Sequence, residues 1–295
     1  MTIAPTDLAA APQITVPKRG WLRDLIRRHP TAVAGAVLLI LMILMAIFAP
    51  YLGTVDPQAL SPIRRLRHPS ALYWFGTDML GRDVYSRVVY GSRVSLTVGI
   101  SVALFSSAVG VAIGMVTGFV RLADAIVMRI LDGLMSIPSV LLAIALMALT
   151  RASIGNVIFA ITVVEVPRVT RLVRGVVLTL REQPFVEAAV ASGTGFLPIL
   201  YRHILPNTIA PVLVQGTFIA ASAMITEAVL SFIGAGTPPN IPSWGNIMAE
   251  GRSLFQVAYY IILFPGIFLS LAVLSINPLG DGLRDALDPR LARRM

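Results

Sequence analysis

The chain has 295 residues, 56% of them hydrophobic and 13% charged, with a mean hydropathy of +0.79. A soluble core cannot hide that much apolar surface, so the bilayer must serve as solvent; zero cysteines exclude disulfides, thiolate catalysis and cysteine-ligated metals. The formal charge of +9 does not mark a nucleic-acid binder, because the basic residues are scattered at the ends of apolar stretches and form no stripe.

A hydrocarbon core about 30 Å thick is crossed by roughly 20 helical residues. Six stretches qualify, near Thr31 to Leu52, Ser95 to Val120, Asp124 to Leu149, Ile154 to Leu172, Thr208 to Ile233 and Val257 to Ile276. They predict an all-α, polytopic membrane protein with six transmembrane helices. Placing the N-terminus in the cytoplasm puts Lys18, Arg19, Arg23, Arg27 and Arg28 inside, together with the arginines between the second and third, and between the fourth and fifth, stretches. The positive-inside rule therefore favours both termini in the cytoplasm. Arg64, Arg65 and Arg67 make the first external loop the exception. The organisation expected is a cytoplasmic tail and interfacial helix over 1–30, the first span and external loop over 31–92, a core transmembrane domain over 93–280 with a cytoplasmic loop at 175–206, and a cytoplasmic tail over 281–295.

In chain order, residues 1–20 read as a flexible tail, and Trp21 to Arg28 as a short helix along the inner membrane surface. The first span is longer than the apolar run of a signal peptide and reads as an uncleaved anchor. Between Gly53 and Arg93, charged Asp78, Arg82, Asp83, Arg87 and Arg93 recur opposite Leu80, Val84, Val88 and Val89, which predicts an amphipathic interfacial helix leading into the second span. That span carries Ser95, Gly99, Ala103 and Ser107, then Gly110, Gly114 and Gly118, each set at four-residue spacing. Small residues on one stripe let another backbone approach closely, so Gly99, Gly110, Gly114 and Gly118 mark a packing face. Pro138 should kink the third span. Arg168, Arg171 and Arg174 lie near one another at the inner end of the fourth, where their side chains snorkel to headgroups. After the fifth span, GAGTPPNIPSWGNIMAEG reads as an external cap with Trp244 at the membrane boundary, and the last span leaves the membrane at Asn277 and Pro278.

Glu165 and Glu227 are ionisable groups at membrane depth, which is costly and marks either a transport pathway or a structural role, such as capping an interrupted backbone. Both readings stand at this point. His29, His68 and His203 are isolated and offer no metal pair, and no nucleophile elbow or acid dyad points to catalysis. A phosphate-binding GxxxxGK[ST] loop is missing, since the single lysine, Lys18, follows Pro17.

The cytoplasmic loop is the most informative segment: EAAVASGTGFLPILYRHILP, from Glu187 to Pro206, reads as a helix, a glycine break and a second helix from about Leu197 to His203. Pro184 suits a first helical position, Glu187 the positive end of the helix dipole, and Gly193 a left-handed stop. Phe185, Ala188, Ala189 and Ser192 share a face that presents one aromatic knob among small residues.

On Glu187, Ala188, Ala189, Gly193, Leu205 and Pro206 this loop resembles the EAA loop of ABC importer permeases, with His203 standing where the general pattern has isoleucine. FGTDMLGRDVYSRVVYGSRVSLTVG at Phe75 to Gly99, EAVLSFIGAGTPPNIPSWGNIM at Glu227 to Met248, and NPLGDGLRDALDPR at Asn277 to Arg290 are similar to the dipeptide and oligopeptide importer branch, whose nickel and glutathione members share the pattern. The resemblance implies the type I ABC importer permease fold in a bacterial inner membrane. It also implies a coupling role for the hairpin, including Phe185 and His203, in a groove of an ATPase. The partners implied are a homologous second permease, two ATPase subunits or one fused ATPase that hold the ATP and Mg, an extracytoplasmic peptide-binding protein, and membrane lipid. No cofactor or metal is expected in this chain, and the expected mechanism is ATP-driven alternating access for peptides, with nickel, glutathione or heme as other cargoes. An ion-coupled secondary transporter is the main rival, and it would require coupling-ion sites at broken helices.

Overall fold

The computed structural model describes residues 30–287; the predicted tail, the interfacial helix at Trp21 to Arg28 and the end of the chain lie outside the described residues. Helix α1 (Pro30–Ile47) leads into a largely irregular segment over 48–83, then α2 (Val84–Phe119), α3 (Arg121–Met135), α4 (Ser139–Ala148) and α5 (Ile154–Leu180). A hairpin of α6 (Pro184–Ala191) and α7 (Phe196–Ile199) passes through a π-helical turn, Leu200–Ile204, into α8 (Leu205–Phe232). Helices α9 (Trp244–Gly251) and α10 (Tyr260–Leu287) complete the described chain, and among the described residues there is no strand, only an isolated bridge between Thr77 and Asp83.

Four helices are long and apolar enough to cross a membrane: α1, α2, the continuous run Phe196–Phe232 and α10. Helices α3 and α4 pass the same test as a pair bent by 91°. The predicted kink at Pro138 is thus a full break: Pro138 stands in extended conformation (ψ 131°) and begins α4. Helix α5 has 27 residues, or about 40 Å at 1.5 Å per residue. Its charged Glu165, Arg168, Arg171 and Arg174 lower its hydropathy, and it is sheathed by α2, α4 and α8.

Packing of α2 follows its small-residue stripe. A Cβ on Gly110, Gly114 or Gly118 would lie 2.5, 2.7 or 2.6 Å from the Cβ of Val169, Val173 or Val177 of α5. Both helices repeat at four residues, so three glycines seat three valines in register. Gly99 meets α8 instead, where an added Cβ would come 2.7 Å from Met224 Cγ. From Gly99 to Gly110 is about three helical turns, so one face of α2 meets α8 first and α5 further along.

Two of the α5 arginines are anchored to protein and do not reach freely for headgroups. Arg171 Nη2 lies 2.5 Å from Asp132 Oδ1, and Arg174 grips Asp124 with Nε and Nη2, tying α3 to α5. The sequence expectation of snorkelling overlooked that Asp124 and Asp132 are spaced to meet them.

The predicted amphipathic helix exists only from Val84 onward, as the first turns of α2, and residues 78–83 before it are not helical. Gly76 and Gly81 take φ of +77° and +75°, left-handed positions that break a helix, and the segment folds back as a cap over the starts of α2 and α10. Asp83 begins α2 by accepting the Ser86 N–H at 2.8 Å. Three of the five charges on the predicted polar face, Asp78, Arg82 and Arg87, are buried, while Asp83 is half-buried and Arg93 exposed; Asp78 Oδ2 accepts from Arg82 Nε and Arg87 Nη1, both at 2.6 Å, and Glu250 of α9 accepts from both arginines. Trp244, expected at the membrane boundary, is also fully buried, its indole N–H donating to the Val88 carbonyl at 3.1 Å. At the far end, α10 continues past Asn277 and Pro278 to Leu287, because packing against α8 supports it; a Cβ on Gly280 would collide with Thr217.

Two outcomes test this packing. Gly118→Ala should destabilise the purified protein by about 1–3 kcal/mol through overpacking, and Val177→Gly in the same chain should recover part of that loss, read as non-additivity of melting temperatures. Arg87→Leu should cost about 3–5 kcal/mol, because it leaves buried Asp78 and partly buried Glu250 with one cation between them, and a melting temperature within a degree or two of the parent would refute that account of the cap.

Candidate functional site

Helix α6 begins where Gln183 is still extended (φ −84°, ψ 142°) and Pro184 supplies a first-turn residue whose missing N–H costs nothing. It stops at Gly193, φ +76°, with the Gly193 N–H donating to the Val190 carbonyl at 2.9 Å and the Thr194 N–H to the Ala189 carbonyl at 3.0 Å. This paired pattern closes the orphan carbonyls of the last turn and fixes the angle between α6 and α7. No atom lies within 4 Å of a Cβ built on Gly193, so backbone conformation alone demands glycine there.

The hairpin has an inner and an outer side. Val186, Ile199, Leu200 and Ile204 are buried and join the core formed by α2, α5 and α8. Phe119 at the end of α2 meets Phe196 edge-on with ring centroids 5.4 Å apart, and Arg181 donates to the Gly118 carbonyl at 3.2 Å. Outward, Phe185, Glu187, Ala188 and Gly193 are exposed, as are Val190, Leu197 and Tyr201. Ala189 is half-buried against the core. Phe185 and His203 face each other across the hairpin at 6.2 Å between centroids. Leu205 is half-buried and Pro206 exposed in the first turn of α8. The structure therefore brings Phe185, Glu187, Ala188 and Gly193 onto the exposed side of one hairpin, turns Ala189 toward the core, assigns Leu205 and Pro206 to the start of α8, and adds Val190, Leu197 and Tyr201 to the apolar outer side. Nothing but their hydrophobicity marked these three in the sequence.

The second helix of the hairpin differs from its expected extent. It starts at Phe196 and does not end at His203, because the π turn at Leu200–Ile204 carries the helix into α8 without a gap. A displacement of the hairpin is thereby applied directly to a span.

The two membrane glutamates part company. Glu227 is fully buried, accepting from Ser231 Oγ at 2.8 Å and Ser95 Oγ at 3.3 Å, with Thr237 Oγ1 at 3.5 Å. Thr237 in turn is bonded by Asn246 Nδ2 at 2.9 Å and lies 3.3 Å from Ser243 Oγ. This network ties α8, α2 and the cap where α8 gives way to loop. Glu165 accepts from Ser222 Oγ at 3.4 Å and approaches Arg168 Nη1 to 3.0 Å, an ion pair without hydrogen-bond alignment that leaves Oε2 unbonded. Arg168 is half exposed and lines a cavity of about 180 Å³ between the α3–α4 bend and α5, beside Pro138 and Pro167. Glu165 thus stands one residue from accessible space, whereas Glu227 is enclosed by hydroxyls.

Long apolar helices enclosing buried carboxylates, with a helical hairpin at one end, define a polytopic α-helical membrane protein. Comparison with known proteins narrows that class. The family described as binding-protein-dependent transport system inner membrane component matches residues 110–293, and the N-terminal TM domain of oligopeptide transport permease C matches residues 21–69. The chain belongs to the binding-protein-dependent transport system inner membrane component family. It is similar to a probable peptide ABC transporter permease of Sinorhizobium fredii, 51% identical over 91% of this chain and 92% of the relative. A dipeptide transport system permease of Alkalihalophilus pseudofirmus is 41% identical over 90% and 88% of the two chains. A glutathione transport system permease of Pectobacterium atrosepticum is 39% identical over 94% and 93%.

The geometry around Glu227 gives a test. Glu227→Gln keeps acceptor capacity and should preserve stability to within about 1 kcal/mol, whereas Glu227→Leu orphans the buried hydroxyls around it and should cost about 1–3 kcal/mol. Equal melting temperatures for the two variants would contradict the structural role.

Proposed function

We propose that the chain is a permease subunit of an ATP-driven importer of dipeptides or oligopeptides, forming half of the translocation pathway and receiving force through the hairpin at 184–206. The observation that carries the reading is the exposed outer side of that hairpin, with Phe185 and Glu187 projecting from a helix whose inner side is fused to the α2–α5–α8 core. Family membership and the peptide and dipeptide transport of its relatives support the cargo class. Glutathione, itself a small peptide, is a second reading favoured by the relative of that specificity.

ATP hydrolysis belongs to a partner, because this chain lacks a phosphate-binding loop. The hairpin end faces the cytoplasm, both termini lie on that side of a bacterial inner membrane, and the cap at 48–83 faces outward toward a peptide-binding protein. A homologous permease completes the pathway. Closure of the paired ATPases moves the hairpin, and with it α8, whose helix is unbroken from Phe196 to Phe232. The partner must bind the inward and outward states with different affinity, since equal affinity shifts nothing. In this scheme Arg168 and Glu165, beside the α3–α4 bend, are the pathway residues of this chain.

The scheme is tested in vesicles holding the assembled transporter. Glu187→Ala and Gly193→Val should each lower peptide uptake per ATP hydrolysed at least about tenfold, equivalent to losing ~1.4 kcal/mol of coupling, while the protein still inserts and assembles. Uptake that stays coupled in both variants would overturn the assignment of the hairpin.

A further inference from the structure

The external loop holds a feature that the importer reading leaves unused. A cavity of about 780 Å³ opens between Pro62 and Tyr73, lined by Arg64, Arg65, Arg67 and His68, with no carboxylate in its wall. Among the described residues none of these arginines forms an ion pair, whereas Arg82 and Arg87 a few residues on are fully paired. Arg65 donates to the Met79 carbonyl at 2.6 Å, and Arg64 stands 5.9 Å from the centre of the Tyr73 ring. Arg64, Arg65 and Arg67 are also the cations that run against the positive-inside bias, so orientation in the membrane does not account for them.

The loop is held in shape. Leu66 has φ +51°, the one positive value at a non-glycine position among the described residues. Its N–H donates to the Asp78 carbonyl at 3.1 Å. The Arg67 N–H donates to Thr77 Oγ1 at 2.8 Å, and the Arg67 carbonyl accepts from the Thr77 N–H at 2.9 Å and from Tyr260 Oη at 3.0 Å. A left-handed leucine persists only where its surroundings impose it, and such positions gather at binding sites. The result is a preorganised loop backbone that presents three exposed arginines and itself loses little freedom on engaging a partner.

We propose that the pocket at 62–73 is a docking surface for an acidic patch on the extracytoplasmic binding protein; the proposal rests on the importer reading above. The loop sits at the opposite end of α2 from the hairpin, about 54 Å away along 36 residues, and the family is defined by dependence on a binding protein. Arginine and tyrosine beside exposed Ile63 and Leu72 match the composition of protein interfaces. A lipid headgroup would also accept this charge, but every lining residue comes from the loop, so no span offers a wall for the acyl chains.

The test uses the assembled transporter in nanodiscs of neutral or anionic lipid, with its purified cognate peptide-binding protein as the probe. Arg64→Glu with Arg67→Glu should weaken binding by about tenfold or more and flatten its dependence on salt. Arg64→Lys with Arg67→Lys should retain most of the affinity, and Arg67→Gln alone should give an intermediate loss in a complex that melts like the parent. Undiminished affinity in folded charge-reversed complexes overturns the proposal, as does a loss seen only in anionic nanodiscs, which would assign the pocket to lipid. Failure of the unmodified complex to bind the probe at all would instead overturn the importer reading.

Discussion

The rest of the molecule depends on the contact between α2 and α5, where Gly110, Gly114 and Gly118 seat Val169, Val173 and Val177. In lipid no hydrophobic force brings helices together, because the tails are as apolar as the side chains; what holds them is close van der Waals packing. Three valine side chains lodged against bare backbone supply it. That contact sets the position of α5, and α5 in turn carries Glu165 and Arg168, the ion pairs to α3 and the start of the hairpin. A bulkier residue in the stripe would shift all of these together.

Helix α2 also joins the two ends of the protein. Its first turn is capped by Asp83 under the lid formed by 48–83, and its last residue, Phe119, packs on Phe196 of the hairpin. The hairpin is fixed at both roots, through Arg181 on the Gly118 carbonyl and through the unbroken passage into α8.

Charge inside this protein is managed by enclosure. Glu227 is surrounded by serine and threonine hydroxyls, and Asp78 and Glu250 divide two arginines between them beneath the lid. Buried charge is tolerable only when paired and hydrogen-bonded, and these clusters bind distant parts of the chain to one another. Glu165 is the departure, with one oxygen unbonded and its arginine facing a cavity.

By itself the sequence determined the solvent, the glycine stripe and the helix–glycine–helix form of the hairpin, but not the span count: six were expected, whereas four described helices, or five with the bent α3–α4 pair, are long and apolar enough to cross. What it determined comes from composition and spacing, which are local: Gly193 stops α6 because only its own backbone is at stake. Tertiary structure decided the rest. Charged residues from 78 to 87 have the same spacing whether they line a wet helix face or neutralise one another in a core, and only Glu250, 163 residues from Arg87, settles which. Pro278 breaks or continues a helix according to what packs beside it, and Glu227 is enclosed by hydroxyls because Ser95, 132 residues away, completes its shell. Partners that remote leave no periodicity to read, so which charges are spent on holding the fold and which are left to act became visible only once the chain was folded.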